Sequence, residues 1–356
     1  MVENTSSVKV NKKSKLDGKP KIDSFHNKDG LLLKTYAWLV KNPVGVLILV
    51  HGLNSHVRLE YLRHNVEVVN NNKAILKDDE NFYIYENSWI EHFNKNNYSV
   101  YGLDLQGHGQ SDGWKNLRTS INKFDDLVYD VIQYINRIHD LLCLSYKKDN
   151  NISLHDNITN TKIPPFYLLG LSMGGNIVLR ILEILGKSKD NNKKVNIRGC
   201  ISLAGMISID HLTSKASFKY FYIPISKMLS AVFPSSRITP SLHFGRFPFI
   251  NDIFSFDKNR HKKPITCRLG YELLNAITNL NNDIEYIPKD IPILFIHSKN
   301  DSACYYEGVV NFYNKLNNDN KEIHTLEEMD HILTVEPGNE EVLKKIIDWL
   351  SRIPKE

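Results

Sequence analysis

The chain has no run of about 18 apolar residues, the length a helix needs to cross a bilayer, so no spanning segment is expected. Its first residues lack the apolar stretch of a secretory signal, and Val2 stands where myristoylation requires Gly. Cysteine is scarce: Cys143, Cys200, Cys267 and Cys304 are far apart and none forms a C-x-x-C pair. Neither a disulfide framework nor a metal site is expected, and a reducing, cytoplasmic setting is the simpler expectation. A dominant charge is also missing. The 45 basic residues meet 40 acidic ones, and a net charge of +5 is too balanced to argue for a nucleic-acid partner. No internal repeat is visible. What is present is 356 residues, 42% of them apolar, enough for one large core with an inserted subdomain.

Residues 1–28 are polar and lysine-rich and are expected to form a flexible basic arm. "LLLKTYAWLV" and "GVLILVHG" read as strands joined by a turn at "KNPV", and "YSVYGLDLQGHG" as a strand ending at Asp104. "PFYLLG", "IRGCISLAG" and "IPILFIHS" are short continuous apolar runs, the pattern of strands buried on both faces. Helical spacing follows in Phe124, Leu127, Val128, Val131, Ile132, Ile135 and Ile138, and again over 176–185, 309–316 and 340–353. Strands alternating with helices predict an α/β fold with a mostly parallel central sheet covered on both faces. The expected core is 29–206 with 289–356, and the aromatic, proline-dotted stretch 207–288 is expected to be a cap. The Asn-, Lys- and Asp-rich segments 70–87 and 145–162 look like surface insertions, which cost little as loops lengthen.

The stretch that carries chemistry is "YLLGLSMGGNIVLRIL", residues 167–182. It places Ser172 between a strand and a helix with Gly170, Gly174 and Gly175 around it, although a Gly inside a helix costs roughly 1 kcal/mol. In an open parallel sheet, reactive groups collect at the carboxyl ends of strands. A Gly-x-Ser-x-Gly turn there holds the serine in a tight, exposed conformation, with the N–H groups of the next helix aimed at any negative charge that forms. A serine hydroxyl needs a base, and the base needs an orienting carboxylate. On this type of sheet the order is Ser, Asp, His, which selects Asp301 after "ILFIHSKN" and His331 in "EEMDHIL". His297 is a rival placed inside a strand, where packing is expected. Asp330 is another, too close in sequence to align the His331 ring. Acyl transfer also needs oxyanion donors, and the backbone N–H groups of Leu53 and Met173 are the candidates. His51, just before them, is expected to brace that loop. This chemistry calls for no metal or organic cofactor.

Together, "VHGLNSH", "GLDLQGHGQSDG", "GLSMGG", "HSKND" and "MDHI" resemble the α/β-hydrolase superfamily, in its monoacylglycerol lipase and lysophospholipase branch, over about residues 30–353. The Asn-rich insertions resemble malaria-parasite members of that branch. The resemblance implies Ser172 as nucleophile, Asp301 and His331 as its partners, Leu53 and Met173 as oxyanion donors, and an ester substrate with an apolar acyl chain. One motif departs from the branch, whose lipases read HGxGEHSxRY with Glu and Arg holding the glycerol head. Here Asn54 and Ser55 replace Gly and Glu, and Arg58 falls one place early. The same triad also serves acyl transfer to another acceptor, and the fold also serves as a silent binding scaffold. Dehalogenase or epoxide hydrolase chemistry would need a carboxylate at position 172.

The cap carries ten Phe and Tyr residues between 212 and 256, and ten Lys or Arg against Asp252 and Asp257 between 212 and 268. That composition suits an acyl tunnel within a solvated cap. It also admits peripheral contact with an anionic membrane surface, each well-placed charge adding about 1 kcal/mol.

Overall fold

The computed structural model describes residues 15–150, 152, 163–188, 195–208, 223–237 and 243–354. The described residues form twelve strands: β1 (Lys21–His26), β2 (Leu32–Trp38), β3 (Gly45–Val50), β4 (Arg63–His64), β5 (Val66–Asn70), β6 (Lys73–Leu76), β7 (Tyr83–Ile84), β8 (Tyr98–Leu103), β9 (Phe166–Leu171), β10 (Ile197–Leu203), β11 (Ile293–Ser298) and β12 (Lys321–Leu326). Eight of them make one sheet in the order β1-β2-β8-β3-β9-β10-β11-β12. Pairing is parallel from β8 to β12 across the sheet, and β2 alone runs against both its neighbours. β2 and β3 are consecutive but do not pair, because β8 lies between them. Strands β3, β9 and β11 are buried at every residue, which is why their sequences are continuously apolar rather than alternating.

Helices cover both faces. On one side α3 (Phe124–Asp149), α4 (Met173–Lys187), α7 (Cys267–Asn282) and α8 (Tyr306–Lys315) bury Leu127, Val131, Ile177, Leu269 and Phe312 against the sheet. On the other, α1 (Val57–Tyr61), α2 (Trp89–Lys95) and α9 (Asn339–Arg352) bury Tyr61, Phe93, Ile346 and Trp349. Each such side chain contributes about 1.5–3 kcal/mol when fully withdrawn from water. This two-faced arrangement is the α/β-hydrolase fold. All four cysteines are free, and no helix among the described residues is long and apolar enough to cross a membrane.

Several expectations change. The arm expected over 1–28 does not reach its last residues, because Lys21–His26 form the edge strand β1, with Lys21 opposite Ala37 and Phe25 opposite Leu33, while 1–14 lie outside the described residues. Only Phe25 of that strand is buried, stacked 5.8 Å from the Tyr134 ring; the other positions are polar apart from Ile22, which is exposed, so no apolar pattern marks the strand. The insertion expected over 70–87 is not a loose loop. With the residues before it, it folds into the hairpin β5–β6 and the pair β4–β7. It packs against the cap helix α6 (Phe249–Phe256), with the Ala74 N–H donating to Asp252 Oδ2 at 2.9 Å. Phe82 joins Phe244, Phe249, Phe254 and Ile332 in a separate apolar cluster under the cap. Of the insertion 145–162, the first residues extend α3, while 151 and 153–162 lie outside the described residues. In the cap, α5 (Ile223–Val232) packs on α7. Helix α7 itself packs into the main core beside α3 and α4, so the stretch 207–288 is only partly a separate layer. Phe218, Tyr220, Phe221 and Tyr222 also lie outside the described residues.

Candidate active site

β9 delivers the chain to the carboxyl edge of the sheet, and α4 begins on Met173 directly afterwards. The corner residue Ser172 has φ 57° and ψ −117°, in the left-handed half of the map, at a cost of order 1–3 kcal/mol for a residue with a Cβ. The glycines make this turn possible. A Cβ at Gly170 would come within 2.1 Å of the Gly174 carbonyl oxygen, and one at Gly174 within 2.2 Å of the Val50 carbonyl oxygen. The strain holds the serine hydroxyl clear of both elements.

Two loops bring the partners. The Ser172 hydroxyl donates to His331 Nε2 across 2.9 Å. His331 Nδ1 donates to the Asp301 carboxylate, at 3.0 Å from Oδ1 and 2.9 Å from Oδ2. Asp301 follows the end of β11, and His331 sits in the loop between β12 and α9. Burial alone would raise the Asp301 carboxyl. The charge on His331 and hydrogen bonds from His297 and His331 outweigh it and hold Asp301 well below the usual carboxylate range. Burial also opposes a charged His331 ring, yet Asp301 raises that imidazole above its ordinary 6.5. The pair therefore favours proton acceptance at Nε2, the property a base for Ser172 needs.

The rivals separate cleanly. His297 is packed within β11, as expected, but its Nε2 donates to the Cys304 carbonyl at 2.8 Å and lies 3.2 Å from Asp301 Oδ2. Asp330 takes the Ser302 N–H at 2.7 Å and makes no hydrogen bond to the His331 ring. His51 braces its loop: Nε2 accepts from the Leu105 N–H at 3.0 Å, and Nδ1 donates to the Gly52 carbonyl at 2.8 Å. Its complete burial pushes it well below 6.5, so the ring stays neutral. This loop lies against Ser172, since a Cβ at Gly52 would sit 3.3 Å from Ser172 Cβ. Leu53 follows it into the cavity wall, and Met173 supplies the first N–H of α4.

Two important carboxylates were not anticipated from sequence. Glu336, fully buried, accepts the N–H groups of Asp330 (2.5 Å), His331 (2.9 Å) and Ile332 (2.6 Å), so one side chain fixes the whole histidine loop. Its signal in the sequence is a Glu five residues after the histidine, next to Pro337 and Gly338. The second is Glu60, which lines the cavity and accepts the Gly52 N–H at 3.3 Å. Burial raises its carboxyl above the ordinary value. Arg58 points elsewhere, stacked 4.6 Å over Tyr83 and 5.0 Å over Tyr36.

Above Ser172 is a cavity of about 250 Å³, walled by Leu171, Phe244, Phe254, Ile265, Leu273 and Ile332 and by the polar Asn54, Ser55, Glu60, Arg260 and Lys263. The Phe244 ring lies nearly parallel to His331, 6.4 Å between centroids. A larger groove of about 520 Å³, lined by Leu62, Trp89, Phe249 and Leu343, opens elsewhere, and none of Ser172, Asp301 and His331 lines it. Among the described residues, one cluster has metal-ligand chemistry: Asp301, Cys304 and His331, with donor atoms within 4.8 Å of one another. Two of its members already hydrogen-bond each other, and burial pushes the Cys304 thiol well above its usual range, away from the thiolate a metal would take.

Residues 80–338 match the model of a family described as serine aminopeptidase, S33. A search of curated proteins gives no significant match. Solved structures with the same fold include a monoacylglycerol lipase from Paleococcus ferrophilus, 19% identical, with TM-score 0.63 over 89% of this chain and 98% of that one. A soluble variant of monoglyceride lipase from Saccharomyces cerevisiae, in complex with a substrate analogue, is 18% identical, with TM-score 0.67 over 95% of this chain and 96% of that one.

Proposed function

From the premise that the chain belongs to the serine aminopeptidase S33 family, we propose that it is a serine ester hydrolase cleaving carboxylic esters with apolar acyl chains. The observation that carries this reading is the relay from the Asp301 carboxylate through His331 to the Ser172 hydroxyl, with both contacts at 2.9 Å. Ser172 attacks the ester carbonyl as His331 Nε2 takes its proton. The Leu53 and Met173 N–H groups receive the oxyanion, and such a donor lowers the barrier by about 3 kcal/mol. The protonated His331 then gives its proton to the leaving alcohol. Water repeats the sequence on the acyl-enzyme and frees Ser172.

The cavity favours esters over the amino-terminal peptides that the family description suggests. An aminopeptidase must receive a protonated amine, and among the described residues the polar wall offers Arg260 and Lys263 against a single carboxyl, Glu60, whose charged form burial disfavours. The apolar remainder suits an acyl chain. Within this class we propose monoacylglycerols, lysophospholipids or small carboxylic esters as substrates, and a cap that touches membrane surfaces peripherally. The Asn-rich insertions and the "YENSWIEHFNKNNYSVYGLDLQGHGQSDG" stretch support a finer placement beside malaria-parasite members of the branch, such as the prodrug activation and resistance esterase. The test is a panel of p-nitrophenyl esters from acetyl to palmitoyl beside monoacylglycerol and lysophosphatidylcholine. The proposal expects hydrolysis that Ser172→Ala abolishes. Cleavage of amino-terminal peptide substrates with no esterase activity would overturn it.

A further inference from the structure

The cavity above Ser172 has one strongly charged wall, and that wall comes from the cap. The loop following α6 carries Arg260 and Lys263 into the lining. Arg260 is fixed in place: its Nε donates to the Asn54 carbonyl at 3.1 Å, and its guanidinium lies 5.1 Å over the Phe254 ring. The Asn54 amide in turn donates to the His261 carbonyl at 3.0 Å. Two further guanidinium groups stand behind this pair. Arg237 donates to Thr119 Oγ1 at 2.7 Å and to the carbonyls of Pro264 and Arg118, and Arg118 donates to the Asn259 carbonyl.

All of these side-chain bonds end on neutral oxygens. The nearby carboxylates spend their hydrogen bonds on other groups. Asp257 accepts from the Tyr83 hydroxyl at 2.8 Å and from the N–H groups of Asn259 and Arg260, and faces His56 at 3.1 Å. Asp104 accepts from the Gln110 N–H at 2.9 Å and the Tyr36 hydroxyl at 3.1 Å. Arg118, Arg237 and Arg260 thus share a partly buried seam with the exposed Lys263 at its rim; Asp257 attracts Arg118 and Arg260 and Asp104 attracts Arg118 across space, yet burial still disfavours the charge on all three guanidinium groups, a cost that an anion in the cavity would offset. The His261 ring registers that field. Burial first, and then Arg237, Arg118, Lys263 and Arg260, lower it to about 4. Its Nε2 and the Arg118 Nε are both buried without a hydrogen-bond partner among the described residues.

We propose that Arg260 and Lys263 form an anion subsite in the catalytic cavity, so that the protein selects esters carrying a phosphate or carboxylate remote from the scissile carbonyl. This rests on the ester-hydrolase reading above. The chemistry divides between the two side chains. The planar fork of Arg260, already held by its Nε, offers its remaining N–H groups to two oxygens at once, and Lys263 supplies a mobile point charge at the rim. The apolar wall of Phe244, Ile265 and Leu273 takes the chain between the ester and the anion.

The test compares matched esters. One pair is octanoylglycerol and octanoylglycerol phosphate, with the anion on the alcohol half. The other is p-nitrophenyl octanoate and the p-nitrophenyl monoester of suberate, with the anion at the acyl end. In at least one pair the anionic member is expected to be preferred about tenfold in kcat/KM, the worth of one charge-assisted hydrogen bond, and the pair that shows it identifies which half of the substrate lies at the cap. Lys263→Gln and Arg260→Gln should each bring the ratio toward parity, Arg260→Lys should keep part of it, and added salt should erode it. Because Arg260 also supports Asn54 and Phe254, the readout is the ratio within each variant, which a general loss of activity does not move. Parity or a neutral preference in the wild type, or a preference that survives both glutamine variants, overturns the subsite while leaving the hydrolase intact. Turnover of neither pair, together with no labelling of Ser172 by a fluorophosphonate, overturns the hydrolase reading itself and the subsite with it.

Discussion

Replacing Glu336 with Ala removes the acceptor shared by three consecutive N–H groups, those of Asp330, His331 and Ile332, at 2.5, 2.9 and 2.6 Å. The side chain is fully buried, so the donors lose their partner in a site where each unsatisfied group costs about 1–3 kcal/mol. Two effects reduce the total. Water can occupy part of the vacated space, and burial of Glu336 carries its own penalty, visible in its raised carboxyl. A net loss of about 3 kcal/mol follows from the low end of those values, equivalent to a drop in Tm of roughly 5 °C for a chain of this size. Activity should fall further than stability. His331 reaches Ser172 through a single 2.9 Å contact, and a displacement of about 1 Å in a catalytic group costs on the order of a hundredfold in rate. Glu336→Gln should be intermediate, because one amide oxygen can still serve His331 and Ile332 while its NH2 opposes the Asp330 N–H. The measurements are thermal unfolding and kcat on a p-nitrophenyl ester. A Glu336→Ala protein that melts and turns over like the wild type would show that other contacts hold the loop, and the reasoning would fail.

Four further outcomes are expected. The base must be neutral to accept the Ser172 proton, and Asp301 raises His331 above 6.5, so kcat/KM should climb with pH through a midpoint above that value. Asp301→Asn should move this limb to lower pH and cut turnover by roughly 10⁴, whereas the same effect from Asp330→Asn would reassign the acid. Phe82→Ala should cost about 3–5 kcal/mol in thermal unfolding, because Phe82 is buried in the cluster that joins the β4–β7 region to the cap and to Ile332, and a loss within error would show that the cluster closes without it. Excision of residues 151–162 should leave esterase turnover near normal, and a large loss would mean that this insertion shapes the cavity.

The parallel sheet was legible because β3, β9 and β11 are apolar at nearly every position, a pattern that follows from burial on both faces. The meeting of Ser172, His331 and Asp301 was legible because glycines at 170 and 174 are demanded by backbone atoms 2.1–2.2 Å from where a Cβ would stand, and because chain order then selects Asp301 and His331. The edge strand β1 was not, since Phe25 alone marks its buried face. The hairpin β5–β6 was hidden for a related reason: Val68, Val69 and Ile75 are exposed, and its stability comes from the cap helix α6 rather than from its own pattern. Glu336 and Glu60 depend on loops folding back over five to eight residues, which periodicity does not register. His297 was read as a packed strand residue, and so it is, but it also reaches Asp301 across the strand end.

The most direct measurement is intact-protein and peptide mass spectrometry after treatment with a fluorophosphonate, on the wild type and on Ser172→Ala. The hydroxyl at 172, activated by His331, should take one adduct in the wild type and none in the variant. An adduct on another residue, or one that persists when Ser172 is gone, would contradict the account.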